Sequence, residues 1–150
     1  MAKLEKYISD LKDFNKNINK NVDTIINKNA VEITETIKRR LYLTGTDGKK
    51  RKLAKYHRDT VRRKKKKNQP YDRTTLLDSG RWYSGMFAKS TNANLFITSR
   101  DKKNSLLVTR YGENILSLTQ QEEWVLLDNK IEAEIQIIID AIDNEIELDL

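Results

Sequence analysis

The side chains richest in chemistry in this 150-residue chain lie between Thr44 and Met86. Lys49, Lys50, Arg51, Lys52, Lys55, Arg58, Arg62, Arg63, Lys64, Lys65, Lys66 and Lys67 could each neutralise a phosphate or a carboxylate, and Tyr56 and Tyr71 could stack on a base. Engaging about six phosphates would make affinity fall by roughly a thousandfold between low and moderate salt. No helix-turn-helix spacing, zinc site or aromatic RNA-binding strand accompanies these residues, so such binding would be non-specific. The other candidates do less. His57 is the only histidine, and Asp59 follows it with no nucleophile at a usable spacing. Asp78-Ser79-Gly80 lacks the Gly-x-Ser-x-Gly frame of a nucleophile elbow, and no phosphate-binding glycine loop is present. Without cysteine and with a single histidine, thiolate and multi-histidine metal sites are excluded. The chemistry on offer is binding by charge. The expectation is a protein that is not an enzyme and takes no cofactor.

Charge is unevenly spread. Residues 1–37 carry six basic and six acidic side chains, and residues 38–73 carry sixteen basic and three acidic. Residues 74–112 carry six and two, and residues 113–150 carry one and eleven. The net charge of +7 therefore conceals a basic centre and an acidic C-terminal part. Two arrangements use that attraction: one monomer folding its acidic part over its basic centre, or neighbouring subunits meeting acid to base. The acidic face would include Glu132, Asp140, Asp143, Glu145 and Glu147.

The elements that must position these groups follow from the apolar spacing. Residues 1–43 read as helical, with Leu4, Ile8, Leu11, Ile18, Val22 and Ile25 three or four apart and Val31, Ile33, Ile37 and Leu41 continuing the stripe. The asparagines around Asn27 and Asn29 could split this helix, and Gly45 suits its C-terminal cap. Residues 44–75 read as a basic loop opened by the Asp47-Gly48 turn, with a short helix over 53–63 ended by Gln69-Pro70. Like charges this dense repel, so residues 47–74 are expected to be exposed, or ordered only by a partner. Residues 76–112 read as β-sheet: a strand carrying Trp82, Ser84, Met86 and Ala88, then a hairpin of residues 94–100 and 105–110 around the polar loop 101–104. Residues 113–150 hold an acidic helix entered by the capping box Thr119…Glu122, with Trp124, Leu127, Ile131, Ile135, Ile138, Ile142 and Ile146 on its apolar stripe.

At this length one domain is expected, of class α+β: a long N-terminal helix and a C-terminal helix packed on a small antiparallel sheet. Its core should include Ile25, Val31, Ile37, Leu41, Trp82, Met86, Leu95, Ile97, Leu106, Val108, Trp124, Leu127, Ile131, Ile135 and Ile138. No run approaches the length of a membrane-spanning helix, and the N-terminus lacks the apolar centre of a signal peptide. A soluble protein made in a cytoplasm, without membrane contact, is expected.

Three stretches also carry a resemblance. Gly45, Asp47 and Gly48 follow the first helix; Leu76, Leu77, Asp78, Ser79, Gly80 and Arg81 precede the sheet, with Trp82 where an aliphatic residue is usual and Ser84-Gly85 just after; and Ile115-Leu116-Ser117-Leu118-Thr119-Gln120-Gln121-Glu122 leads into the last helix. In this order, over about residues 20–145, the chain resembles the phage virion-morphogenesis proteins, also called tail-completion, neck or minor tail proteins. The resemblance implies a structural virion protein of a tailed phage. It would form a homo-oligomeric ring, a hexamer or dodecamer, at the head–tail junction or tail terminus and dock on connector and tail-tube proteins. Asp47, Gly48, Asp78, Ser79, Gly80 and Arg81 would then be architectural turns. Lys49, Lys50, Arg51, Lys52, Arg62, Arg63, Lys64, Lys65, Lys66 and Lys67 would contact a neighbour or passing DNA. The alternative from the residues alone is a non-specific nucleic-acid-binding protein acting through residues 49–67.

Overall fold

The computed structural model describes residues 2–147. Two long helices open the chain, α1 (Ala2–Lys28) and α2 (Ala30–Thr44), split at Asn29 as the asparagine cluster predicts. The Asn29 side chain donates back to the Ile25 carbonyl, which competes with continuation of the helical ladder. Beyond the break the stripe changes phase. Ile33, Ile37 and Leu41 are fully buried, whereas Val31 stands about 200° around the helix from Ile33 and is 75% exposed. In α1 it is Ile26, not Ile25, that reaches the core. Gly45 closes α2 in the left-handed conformation at φ 62°, its N–H donating to the Leu41 carbonyl.

The basic segment is largely exposed, as one of the two expectations has it, but it holds internal structure of its own. Residues 45–53 double back on themselves, with Asp47 N–H donating to Arg51 and Leu53 N–H to Gly45. A helix, α3 (Arg58–Lys66), follows five residues later than expected and is ended by Asn68 in a left-handed turn rather than by Pro70. Lys64, Thr74 and Thr75 are buried. Charge repulsion along the run loses to specific internal partners for its main chain and for Lys64.

The sheet is shifted by one element from its expected place. Arg81–Ser84 forms a single helical turn, α4, not a strand. The hairpin joins β1 (Met86–Thr91) to β2 (Asn94–Ser99), paired antiparallel with Met86 opposite Ser99 and Thr91 opposite Asn94. Its two-residue turn, Asn92-Ala93, puts both residues at positive φ, which an alanine tolerates poorly. Asp23 on α1 compensates by accepting from Ala93 N–H at 2.9 Å and from the Ser90 hydroxyl. The expected second strand is instead a helix, α5 (Asn104–Tyr111), launched where Asp101 accepts from Lys103 N–H and Asn104 N–H donates to the Asp101 carbonyl. Leu107, Val108 and Tyr111 pack on the core from one face of α5, which leaves Leu106 66% exposed.

A 3₁₀ turn (Glu113–Leu116) supplies the buried Ile115 and Leu116, and the capping box forms as read, Thr119 and Glu122 each bonding the other's N–H. The last helix is continuous but not uniform. Its first turn, α6 (Gln120–Glu123), runs into one turn of π-helix (Trp124–Asp128) and then α7 (Asn129–Glu147). The wider π turn rotates Trp124 out of the stripe, so it is 48% exposed while Leu126 and Leu127 are buried. Ile131, Ile135 and Ile138 of α7 are only half-buried. The class is α+β: α1 and α2 pack on β1, and α7 runs back along α1.

The halves are locked together at Arg40. Buried on α2, it donates Nε to the Thr46 carbonyl, Nη2 to the Ser117 carbonyl and Nη1 to Glu122, whose Oε2 also caps Thr119 N–H at 2.8 Å. Beside it the Asp47-Gly48 turn docks on residues 114–118, Gly48 N–H donating to Asn114. A Cβ on Gly48 would lie 2.2 Å from Ser117 Oγ and within 2.9 Å of two backbone carbonyl oxygens. Gly48→Ala should therefore destabilise the fold by about 3 kcal/mol or more in denaturant unfolding, and Ser117→Ala should not rescue it, because the carbonyls remain. Arg40→Leu should cost about 3–5 kcal/mol, because it strands the Glu122 carboxylate without its buried partner.

Candidate functional site

The Leu-Asp-Ser-Gly-Arg stretch and the C-terminal end of the basic run meet in one place. Tyr56, in the extended piece before α3, accepts on its hydroxyl from Thr75 N–H at 2.9 Å and Leu76 N–H at 3.0 Å. Tyr83, on α4, donates its hydroxyl to the Thr75 carbonyl. Burial raises the Tyr83 pKa, with the phenols of Tyr56 and Tyr42 adding to the shift, so this donor stays protonated. The two tyrosines hold the buried Leu76 at φ 59°, a conformation that L side chains seldom adopt. The turn that follows depends on Gly80, at φ 85°, with Ser79 Oγ accepting from Arg81 N–H at 3.4 Å. It leads the chain into α4 rather than straight into a strand.

Onto this frame α3 lays its cations. Lys64 Nζ sits 4.8 Å from the centre of the Tyr56 ring and donates to the Leu77 carbonyl and to Gln69 Oε1. Asp78 forms no backbone turn. It is gripped between Lys67 at 2.8 Å and Lys103, from the loop before α5, at 3.1 Å. Hydrogen bonds from these two ammonium groups bring its pKa down to about 2, against a smaller opposing effect of burial. A cleft of about 450 Å³ opens beside this pair. Its floor is Leu76, Leu77, Trp82 and Leu107, and Arg63 and Arg110 stand at its edge with no carboxylate partner among the described residues.

The remaining candidates lie elsewhere. Asp47 is buried on the far side of Gly45. Burial works to raise its pKa, but bonds from Arg51 and from Lys49 N–H outweigh that and lower it. Arg51 pairs with it at 2.8 Å, and Lys49, Lys50 and Lys52 are exposed around it. Arg62, Lys65 and Lys66 form the outer face of α3, Arg62 at 3.9 Å from Asp59 and Lys65 over the Tyr71 ring. His57 is the N-cap of α3, its Nδ1 accepting from Asp59 N–H. Of the acidic set, Asp143 accepts from Tyr7 and Glu145 pairs with Lys6, both on α1; Asp140 accepts from Gln136; Glu132 is exposed; and the Glu147 side chain lies outside the described residues. Among the described residues no ion pair joins residues 49–67 to a carboxylate of α7.

Sequence reasoning missed Arg40, Lys103 and Arg110. Arg40 left a trace, since it falls three residues after Ile37 on the buried stripe; Lys103 left none, because only the fold brings it to Asp78. Nothing in the arrangement joins a nucleophile to a base, and no cluster of described residues has the ligands for a metal ion. No described helix is long and apolar enough to cross a membrane. Compared with protein-family models, with curated proteins and with solved structures, the chain matches none. What the arrangement offers chemically is a cationic surface already in place, of the kind that could pair with carboxylates or phosphates.

Two measurements check this geometry. Tyr56→Phe should lower stability by about 1–3 kcal/mol, because two main-chain N–H groups lose their acceptor. Asp78 has a folded-state pKa below its unfolded value, so its stabilisation is present above about pH 4 and is lost as pH falls toward 2. The pair is more than half exposed and therefore screened. Asp78→Asn should cost no more than about 1 kcal/mol at pH 7 and flatten the pH dependence of stability between 4 and 2.

Proposed function

We propose that this chain is a structural virion protein of a tailed phage. It assembles as a homo-oligomeric ring at the head–tail junction or tail terminus and docks there on connector and tail-tube proteins. The observation that carries the proposal is the separation of its two charged poles. The basic pole, residues 49–67, is built into the domain. The acidic pole rides on α7, which lies along α1 instead of folding over the basic surface. The two poles do not pair with each other, and Lys49, Lys50, Lys52 and Lys66 on one and Glu132 on the other stay exposed with no ion-pair partner among the described residues. Such complementarity orients subunits and speeds encounter more than it tightens them, as suits an assembly that waits for its partners.

The helical pair supports the same proposal. Tyr7, Leu11, Phe14 and Ile18 of α1 are half-buried, as are Ile131, Ile135, Ile138 and Ile142 of α7. Two helices alone cannot enclose both stripes, and Leu4 and Ile137 stay largely exposed.

Light scattering across concentration and salt tests the proposal. A discrete oligomer is expected at low ionic strength, dissociating as salt rises. Glu132→Lys with Asp140→Lys should weaken assembly at least tenfold, and Lys65→Glu with Lys66→Glu in the same chain should restore part of it. A chain that stays monomeric at every concentration and also fails to bind assembled connectors or tail tubes would sink the proposal. Salt-sensitive DNA binding without self-association would transfer the role to nucleic acid.

A further inference from the structure

We infer that the outer edge of β2 is a docking site for an extended segment of a partner protein. That segment carries apolar residues at alternate positions and a net positive charge, and it adds a third strand to the sheet. The hairpin register decides which groups are available. Thr91 and Asn94 close the two-residue turn, so Asn94, Phe96 and Thr98 exchange bonds with β1, while Leu95 and Ile97 point their N–H and C=O groups away from it. The two edges are treated differently. On β1 the Asn27 side chain of α1 stands in for a neighbouring strand, accepting from Ser90 N–H at 2.8 Å and donating to the Ser90 carbonyl at 3.2 Å. On β2 no hydrogen bond from a described residue reaches the main chain of Leu95 or Ile97.

Exposed edges are ordinarily blunted by charge, proline or a bulge. β2, Asn94-Leu95-Phe96-Ile97-Thr98-Ser99, has no charged residue and no proline, and Phe96 is 60% exposed. Beside the edge runs a groove of about 710 Å³, walled by Leu116, Leu118, Leu127 and Ile131. None of the chain's 29 Lys and Arg residues lines it, but Glu113, Glu123 and Asp128 do, and none of the three has a cationic partner among the described residues. Unpaired main-chain groups select an extended occupant, the apolar wall selects apolar side chains at alternate positions, and the three carboxylates along the groove select a segment of net positive charge. A second copy paired β2 to β2 would bring two acidic rims together. The chain's own cations at 62–67 are mostly committed to α3 and cannot extend without unfolding it.

The test uses the whole chain, isotope-labelled, and three eight-residue peptides. One alternates valine and lysine, one alternates valine and glutamate, and one is the lysine peptide N-methylated at every second residue on the pairing edge. The lysine peptide is expected to shift the Leu95 and Ile97 amides and slow their hydrogen exchange at least tenfold. The glutamate peptide should bind at least tenfold more weakly, and the methylated peptide should give no protection. Phe96→Lys, at an exposed position, should abolish the protection without changing the melting temperature. Equal effects from all three peptides, or none at Leu95 and Ile97 from any, would overturn the inference. So would Leu95 and Ile97 amides already protected in a concentration-dependent dimer, which would mean that a second copy closes the edge.

Discussion

A single buried guanidinium holds the two ends of this chain in one fold. Arg40 spends its donors on two stretches far apart in sequence: the turn that ends α2, and residues 117–122, where it meets the carbonyl of Ser117 and the carboxylate of Glu122. Burial lowers the Arg40 pKa and the Glu122 carboxylate opposes this; the arginine stays charged because its intrinsic value is so high. Glu122 is bound in turn by its place in the capping box, so the start of the last helix and the end of the second are fixed by the same atoms. A lysine could not replace this arginine. It would bring one compact charge to a site that needs donors in three directions.

What Arg40 fixes, the rest of the architecture exploits. The fully buried residues, Ile33, Ile37, Leu41 and Ile115 with Thr74 and Thr75, cluster where α2 and the residue 74–76 turn meet the 3₁₀ segment. The core is small, and the helices outrun it. The 27 residues of α1 span about 40 Å, yet only Ile26 among its described side chains is buried. The charge poles end up apart for the same reason. α3 is pinned close to the core by Lys64, while α7 carries its carboxylates out along α1, tied at the far end by Tyr7 to Asp143 and Lys6 to Glu145.

Several features decided within a few residues were displayed in the sequence. The capping box at Thr119 and the glycine cap at Gly45 were legible, because each is a local answer to a backbone requirement. So was the α+β class. The hairpin was not, because its turn uses Ala93 in a conformation made tolerable by Asp23, seventy residues away. Val108 and Thr109 look like strand residues, but the turn at Asp101 and the packing of Leu107 and Tyr111 decide for helix. The internal order of the basic segment is hidden for a related reason. Charge density argues for disorder, and nothing local announces that Lys64 will find the Leu77 carbonyl or that Lys67 will find Asp78.

The turns around residues 45–48 and 76–81 hold the segment 49–75 at both ends, one against residues 114–118 and the other through Tyr56 and Tyr83. Between these anchors the chain need not fold around its own cations. It need only bury Lys64, pair Arg51 with Asp47 and Lys67 with Asp78, and leave most of the other cations outward. A surface preformed in this way would lose little conformational entropy on binding an anion, whereas a mobile loop would have to be ordered at that moment. The strained backbone at Leu76 fits the same logic. Two tyrosine hydroxyls hold it, and it fixes the direction in which Asp78 presents its carboxylate to Lys67 and Lys103. The charge of the basic segment is thus set by composition, and its direction is set by neutral hydrogen bonds that composition does not reveal.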